Sequence, residues 1–184
     1  MQISTVVNPL ERMHPDEWAL YQPLVGSTML ELGGKKNVTL GIVYKDFFQS
    51  LGYRHTSVDW NGDHGALKLD LQLPLGLGTF DMVTNIGTTE HVSSQQPVWR
   101  NIVEACHIGT VFISTTPKQG HWTHHGEWYP NENFYEDLAA MNGFEIERIN
   151  EAGAAPRGMW HCRMIRRVIT SFSMPVGNMY HNII

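Results

Sequence analysis

Cysteine is nearly absent from this chain. Cys106 and Cys162 stand far apart and in no C-x-x-C pair. Neither a disulfide framework nor a thiolate zinc site is expected, and a reducing, cytoplasmic-type compartment is the default. The chain has no apolar run of about 18 residues, which argues against a transmembrane helix. Its opening, "MQISTVVNPLERMHPDEW", lacks the basic-then-apolar order of a signal peptide. A basic excess is missing too: the formal net charge is -5, which removes the electrostatic reason to expect nonspecific nucleic-acid binding. There is no internal repeat and no low-complexity linker. A last absence narrows the chemistry. "MLELGGKKN" begins as a nucleotide-binding loop would, but after Gly33 and Gly34 the next glycine is Gly41, with Lys35, Lys36 and Asn37 in the gap. Without G-x-G-x-x-G a dinucleotide pyrophosphate has no ready-made loop, which disfavours a nicotinamide-dependent dehydrogenase.

What the chain does have suits one globular domain over residues 1–184, with 42% hydrophobic and 17% charged residues and length enough for a sizeable core. "HPDEWALYQPLV" reads as a short helix within an N-terminal segment 1–26, with acids at its start. "STMLELG" is a buried strand and "VTLGIVYKDFFQSLG" a helix stopped by Gly52. "YRHTSVDW" is the second strand, and "GALKLDLQLPLG" gives a third around Leu67 to Leu69. "TFDMVTNIG" is a fourth, "QQPVWRNIVEACHIG" a helix ending near Gly109, and "TVFISTTP" a fifth strand. "NENFYEDLAAMNG" is a helix capped by Asn131 and stopped by Gly143. "FEIERIN" and "MWHCRMIRRVI" then follow with no helix between them, a pattern that pairs as an antiparallel hairpin. The alternation predicts an α/β Rossmann-like three-layer sandwich, with a mostly parallel seven-stranded sheet and an antiparallel C-terminal strand.

In an open α/β sheet, ligands bind beyond the carboxyl ends of the strands. Glu31-Leu-Gly-Gly, Asp59-Trp60, Asp70-Leu71 and Asn85-Ile-Gly-Thr fall at those ends. A carboxylate ending the second strand can accept both hydroxyls of a ribose. Gly33 and Gly34 let backbone approach a ligand closely. An acid-lined cleft suits a phosphate-free nucleoside with a cationic centre.

From Met29 to Val92 the chain resembles the class I S-adenosylmethionine-dependent methyltransferases, and it does so more loosely over most of its length. "LELGG" resembles their first motif, which implies Glu31, Gly33 and Gly34 at the methionine moiety. "SVDW" resembles the second, implying Asp59 at the ribose hydroxyls and Trp60 on the adenine face. "KLDLQ" resembles the third, implying Asp70 at the adenine amino group and Leu71 along the adenine through its backbone. "FDMVTNIGTTEHV" resembles the fourth and the segment after it, implying Asn85 and its neighbours around the sulfonium. The resemblance implies S-adenosyl-L-methionine as cofactor and S-adenosyl-L-homocysteine as product. The acceptor would be an oxygen, in preference to a nitrogen, of a small molecule such as a sugar. The chain departs from the family at Lys35, where a further glycine is usual. Taken singly, Asp59 could be a turn residue before Asn61-Gly62 and Asp70 a loop cap. Their order at successive strand ends carries the joint reading.

"PKQGHWTHHGEWYPNENF" is the most unusual stretch, and its residues 117–131 read as a lid or substrate loop. Within it His121, Trp122, Glu127, Trp128 and Tyr129 are candidate substrate contacts, the rings suited to stacking on a sugar or anchoring a second copy in a homodimer. His124, His125 and, separately, His91 are candidate general bases, since imidazole titrates near working pH. His91 follows Glu90, and either side chain could face the donor methyl. His121, His124 or His125 with Glu127 could instead bind a divalent metal, but the spacing fits no H-E-x-x-H motif and no metal ligand is assigned. A polar aromatic loop with no chemistry is the bland alternative. Arg163, Arg166 and Arg167 read as charges guarding an edge strand. The tail 171–184 ends apolar and packs on the body or on another subunit. Two other classes stay open: a non-catalytic adenosylmethionine- or partner-binding module, and a metal-dependent hydrolase built on the histidine loop.

Overall fold

A computed structural model describes residues 26–37, 41–131, 133–153 and 157–181. The helix expected near the N-terminus lies outside them. β1 (Thr28–Leu32) is followed by a small ribbon, β2 (Lys36–Asn37) with β3 (Ile42–Val43), and by α1 (Tyr44–Ser50). β4 (Arg54–Asp59), β5 (Leu67–Lys68) and β6 (Phe80–Ile86) come next, then α2 (Gln95–Glu104) and β7 (Cys106–Pro117). β8 (Trp128–Pro130), α3 (Phe134–Asn142), β9 (Phe144–Ala152), β10 (Met159–Arg166) and β11 (Met179–His181) complete the described chain. Among the described residues no helix is long and apolar enough to cross a membrane.

Seven strands form the main sheet in the order β5-β4-β1-β6-β7-β10-β9. The first five run parallel, and β10 lies antiparallel between β7 and β9. The expected hairpin ending is therefore present, with its second strand inserted inside the sheet. Side chains alternate faces along each strand, and both faces of β1 are covered, as a central parallel strand requires. Leu30, Leu32, Val83 and Phe112 pack against Trp99 and Ile102 of α2 and Phe134 and Leu138 of α3. Met29, Met82, Val111 and Ile113 pack on the opposite face with Tyr44, Phe47 and Phe48 of α1.

Three local expectations change. α1 begins at Tyr44 because Ile42 and Val43, both β-branched, pair with the ribbon instead. α2 ends at Glu104 rather than near Gly109 because Phe80 N–H donates to the Ala105 carbonyl at 2.9 Å and draws the chain into the sheet. The arginines do not guard an edge, since β10 is internal. Arg166 is 2% exposed, with its guanidinium over the Phe144 ring at 4.8 Å, while Arg163 and Arg167 pair with Glu147 and Glu145 on β9. As far as His181 the tail packs on the body: β11 pairs with β8, Tyr180 opposite Tyr129.

No helix separates β5 from β6, and the connection is held from below by α2. Asn101 Nδ2 donates to the Leu71 and Leu73 carbonyls at 2.8 and 2.9 Å, and its Oδ1 accepts from Leu75 N–H at 3.3 Å. An amide buried in this role leaves three backbone groups unsatisfied when removed. Asn101→Ala is expected to lower stability by about 1–3 kcal/mol, read as a lower urea midpoint with unchanged slope.

Candidate active site

Because β1, β4 and β6 run parallel, Leu32, Asp59 and Ile86 end along one edge of the sheet. The chain leaves β1 through Gly33, at φ 89°. A Cβ at Gly33 would collide with Thr88 Oγ1, and one at Gly34 with the Asp63 carbonyl. The glycines thus admit the neighbouring loops, and Thr88 Oγ1 closes the contact by donating to the Leu32 carbonyl at 2.7 Å. Asp59 Oδ2 accepts from Gly34 N–H at 2.8 Å, and Oδ1 from Asn61 N–H at 3.2 Å. Asp70 Oδ1 accepts from Gln72 N–H at 2.8 Å.

These segments enclose a cleft of about 680 Å³. Asp59, Trp60, Asp70 and Leu71 all line it, as do Lys35, Lys68, Thr88 and His91. Trp60 is 77% exposed at the mouth, whereas Leu71 is buried in the wall. Lys35 Nζ donates to the Gly87 carbonyl, so its side chain spans the gap between the ends of β1 and β6. Glu31 and Asn85 sit behind the wall. Glu31 is fully buried, 3.0 Å from His55 Nε2, and burial raises its carboxyl above the usual range against the pull of His55. Asn85 Nδ2 donates to Thr89 Oγ1 and Ser114 Oγ, both at 2.9 Å.

Solved structures share this fold. An S-adenosylmethionine-dependent methyltransferase from Mesorhizobium loti matches with a TM-score of 0.68 at 13% identity, over 85% of this chain and 100% of that one. The 1,6-didemethyltoxoflavin-N1-methyltransferase of Burkholderia thailandensis, solved with 1,6-didemethyltoxoflavin and S-adenosylhomocysteine bound, matches with a TM-score of 0.62 at 12% identity, over 84% and 78%. The [4+2]-cyclase SpnF matches with a TM-score of 0.61 at 12% identity, over 78% and 76%. The fold is that of the class I S-adenosylmethionine-dependent methyltransferases. No protein-family model and no curated protein matches the sequence.

In this methyltransferase fold the histidine loop closes over the end of β6. Glu127 N–H donates to the Glu90 carbonyl at 2.7 Å, and Trp128 Nε1 to the Ser93 carbonyl at 2.9 Å. The loop brings His125 against His91, ring centroids 4.8 Å apart, and Nε2 of each lies 3.8 Å from Glu90 Oε1. Other candidates are spent on the loop itself. His121 Nδ1 accepts from Gly158 N–H at 2.8 Å. Buried Tyr129 accepts from Gly126 N–H and donates to the Trp122 carbonyl. The Trp122 indole lies under the Arg157 guanidinium, and His124 is exposed. His124 is not gathered into the cluster, and Glu90 takes the central place that spacing alone did not assign. The sequence signal was the adjacency of Glu90 and His91 just past a strand end.

Glu90 is 1% exposed, and burial pushes its carboxyl up to about 7. Burial, then the charges of His125 and Lys35, hold His91 down to about 4. Burial and Lys35 lower His125 likewise. Near neutral pH both imidazoles are therefore uncharged, able to accept a proton or to ligate a metal. A raised folded-state pKa for Glu90 means its protonated form favours the fold. That contribution is fully present below 4.5 and lost as pH rises through about 7. His91 has the opposite sign, its contribution being present above 6.5 and lost as pH falls toward 4. Comparison with Glu90→Gln cancels the His91 effect. The variant should gain on the wild type by roughly 3 kcal/mol between pH 4.5 and 7.5, read by urea unfolding in chelator-containing buffer.

Proposed function

We propose that this chain is an S-adenosylmethionine-dependent methyltransferase acting on an oxygen, in preference to a nitrogen, of a small molecule, with a sugar as one acceptor class. The observation that carries the reading is the wall formed by Asp59, Trp60, Asp70 and Leu71 around one cleft. Each Asp59 oxygen accepts one backbone N–H, and a carboxylate oxygen has a further lone pair for a ribose hydroxyl. The Trp60 ring supplies an aromatic face, and Asp70 keeps an oxygen outside its turn bond for an exocyclic amine. No pyrophosphate is called for, which fits a loop that ends in Lys35.

Bound in the cleft, S-adenosylmethionine would supply an electrophilic methyl on sulfur, which passes to the acceptor oxygen as the carbon–sulfur bond breaks and S-adenosylhomocysteine forms. The residues of the chain then do two things. The cleft holds donor and acceptor in line, which removes the entropy of bringing them together. His91, which lines the cleft near Thr88 with Glu90 and His125 behind it, takes up the acceptor's proton. The half-buried lid rings Trp122 and Trp128 are the side chains we assign to the acceptor. The share of the fold with a cyclase is a reason to test the reaction and not to assume it.

Calorimetric titration with S-adenosylmethionine, S-adenosylhomocysteine and NAD tests the donor. Micromolar binding of both adenosyl ligands, about -8 kcal/mol, and none of NAD is expected. Asp59→Asn keeps an acceptor for Gly34 N–H and should weaken both adenosyl ligands at least tenfold. No adenosyl binding by folded wild type would sink the reading. Lys35 adds a second outcome: its ammonium offers a partner to the ligand's carboxylate but repels a sulfonium. The uncharged sulfur of S-adenosylhomocysteine should therefore bind more tightly than the sulfonium, and Lys35→Met should narrow that gap.

A further inference from the structure

Proton uptake alone does not explain why a carboxylate is buried without a partner between two uncharged imidazoles. Glu90 is 1% exposed, and neither of its oxygens has hydrogen-bond geometry with any partner among the described residues. Its own backbone N–H lies near enough to favour the charged form, and that is a weak substitute for a counter-ion. Carboxylates buried in this way are protonated, ion-paired or bound to a metal. The nearest ammonium, that of Lys35, is turned to the Gly87 carbonyl. The ligand atoms of Glu90, His91 and His125 lie within 4.8 Å of one another.

We infer that Glu90, His91 and His125 form a site for a divalent first-row transition-metal ion, open on its cleft side to the oxygen of the methyl acceptor. The ligand set selects the class of ion. Two imidazoles and one carboxylate suit the series from Mn(II) to Zn(II), whereas Mg(II) and Ca(II) prefer oxygen throughout. Bonds of about 2.0–2.2 Å put tetrahedral ligand atoms roughly 3.4 Å apart, so the two contacts of 3.8 Å to Glu90 Oε1 need to close only slightly. The imidazoles can make that adjustment, being 43% and 41% exposed, while the carboxylate stays fixed.

The chain is built to deliver the third ligand. A Cβ at Gly126 would lie 2.9 Å from Glu90 Cγ, so a glycine there lets the lid backbone lie directly on Glu90. The Glu127 to Glu90 backbone bond secures that contact, and His125 is the residue carried in beside it. His91 lines the cleft, so the open face of the ion looks toward the ligand. There it would lower the pKa of an acceptor hydroxyl and orient it. The metal site stands by itself, and only the role of its open face rests on the methyl-transfer reading.

The test uses the full chain, stripped with EDTA and dialysed against Co(II) or Zn(II) without any adenosyl ligand. One ion per chain is expected, with visible d–d bands for the cobalt form. His125→Ala, which removes an exposed ring, and Glu90→Gln should each lower affinity at least tenfold. His107→Ala, at the opposite end of the strands, should retain it. Absence of stoichiometric uptake, or uptake unchanged in both site variants while circular dichroism reports intact folds, would overturn the inference. Adenosyl titration of the stripped protein separates the two readings. Donor binding without metal uptake removes the metal site and leaves methyl transfer standing. Metal uptake without donor binding leaves the site and removes the role given to its open face.

Discussion

The amide of Asn85 fixes the site. From the end of β6 it donates to Thr89 Oγ1 and Ser114 Oγ and accepts from Thr89 N–H. Ser114 Oγ in turn meets the Tyr135 hydroxyl, which also meets Thr116 Oγ1, each at 2.8 Å. Gln95 grips the same turn from its other side, donating to the Thr89 and Val92 carbonyls and accepting from Trp99 Nε1. All of these groups are buried or nearly so. In such a network each member that is removed strands its partners, so the whole is worth more than its bonds taken one at a time. The turn from Thr88 to His91 is thereby locked to the core of the sheet. Glu90 is carried inward by that lock, and its electrostatic cost is a consequence of where the backbone must go.

The acids of the cleft divide by burial. Asp59 is half-buried and Asp70 exposed, and each holds its own turn while keeping lone pairs for a ligand. A turn role and a ligand role are compatible, because a carboxylate accepts more than one bond per oxygen. Glu31 belongs to the other kind. It lies under α1 with His55, whose ring stacks on Phe48 at 5.9 Å. Its contribution is to hold the end of β1 and the start of the glycine loop, and any effect on a ligand passes through that loop.

Strong periodicity made the strands legible, and the two successive strands near the end announced the antiparallel finish. Element ends were less legible, since the sheet and ribbon compete for residues that local pattern assigns to helices. Ala105 and Val43 are the clearest cases. The arginines of β10 were misread because strand order is a property of the whole chain: nothing local says that β10 inserts between β7 and β9. The same division holds for the site. That Asp59, Trp60, Asp70 and Leu71 share one cleft was readable from their order just past successive strand ends, whereas Glu31 and Asn85, read in the same way, lie behind its wall. The meeting of Glu90 with His125 joins segments 35 residues apart in sequence, and no spacing rule reports it. His121 and Tyr129 were chosen by residue type, and both make hydrogen bonds that shape the histidine loop.

Lys35 shows how a loop short of one glycine keeps its shape. The open side of Gly33 is filled by Thr88 Oγ1 and by the Lys35 chain itself, whose Cε would lie 2.8 Å from a Cβ at 33. Gly33 therefore makes room for the side chain of Lys35. Lysine also brings a charge where charge is needed. Its ammonium lowers the carboxyls of both Glu31 and Glu90, opposing their burial, and helps keep His91 and His125 uncharged. A glycine at 35 would widen the cleft but leave Glu90 without the Lys35 charge that opposes its burial, whereas Glu31 would still have His55. The sequence "LELGGKKN" is on this account not a worn nucleotide loop. It is a loop whose third position has become part of the electrostatic balance of the site.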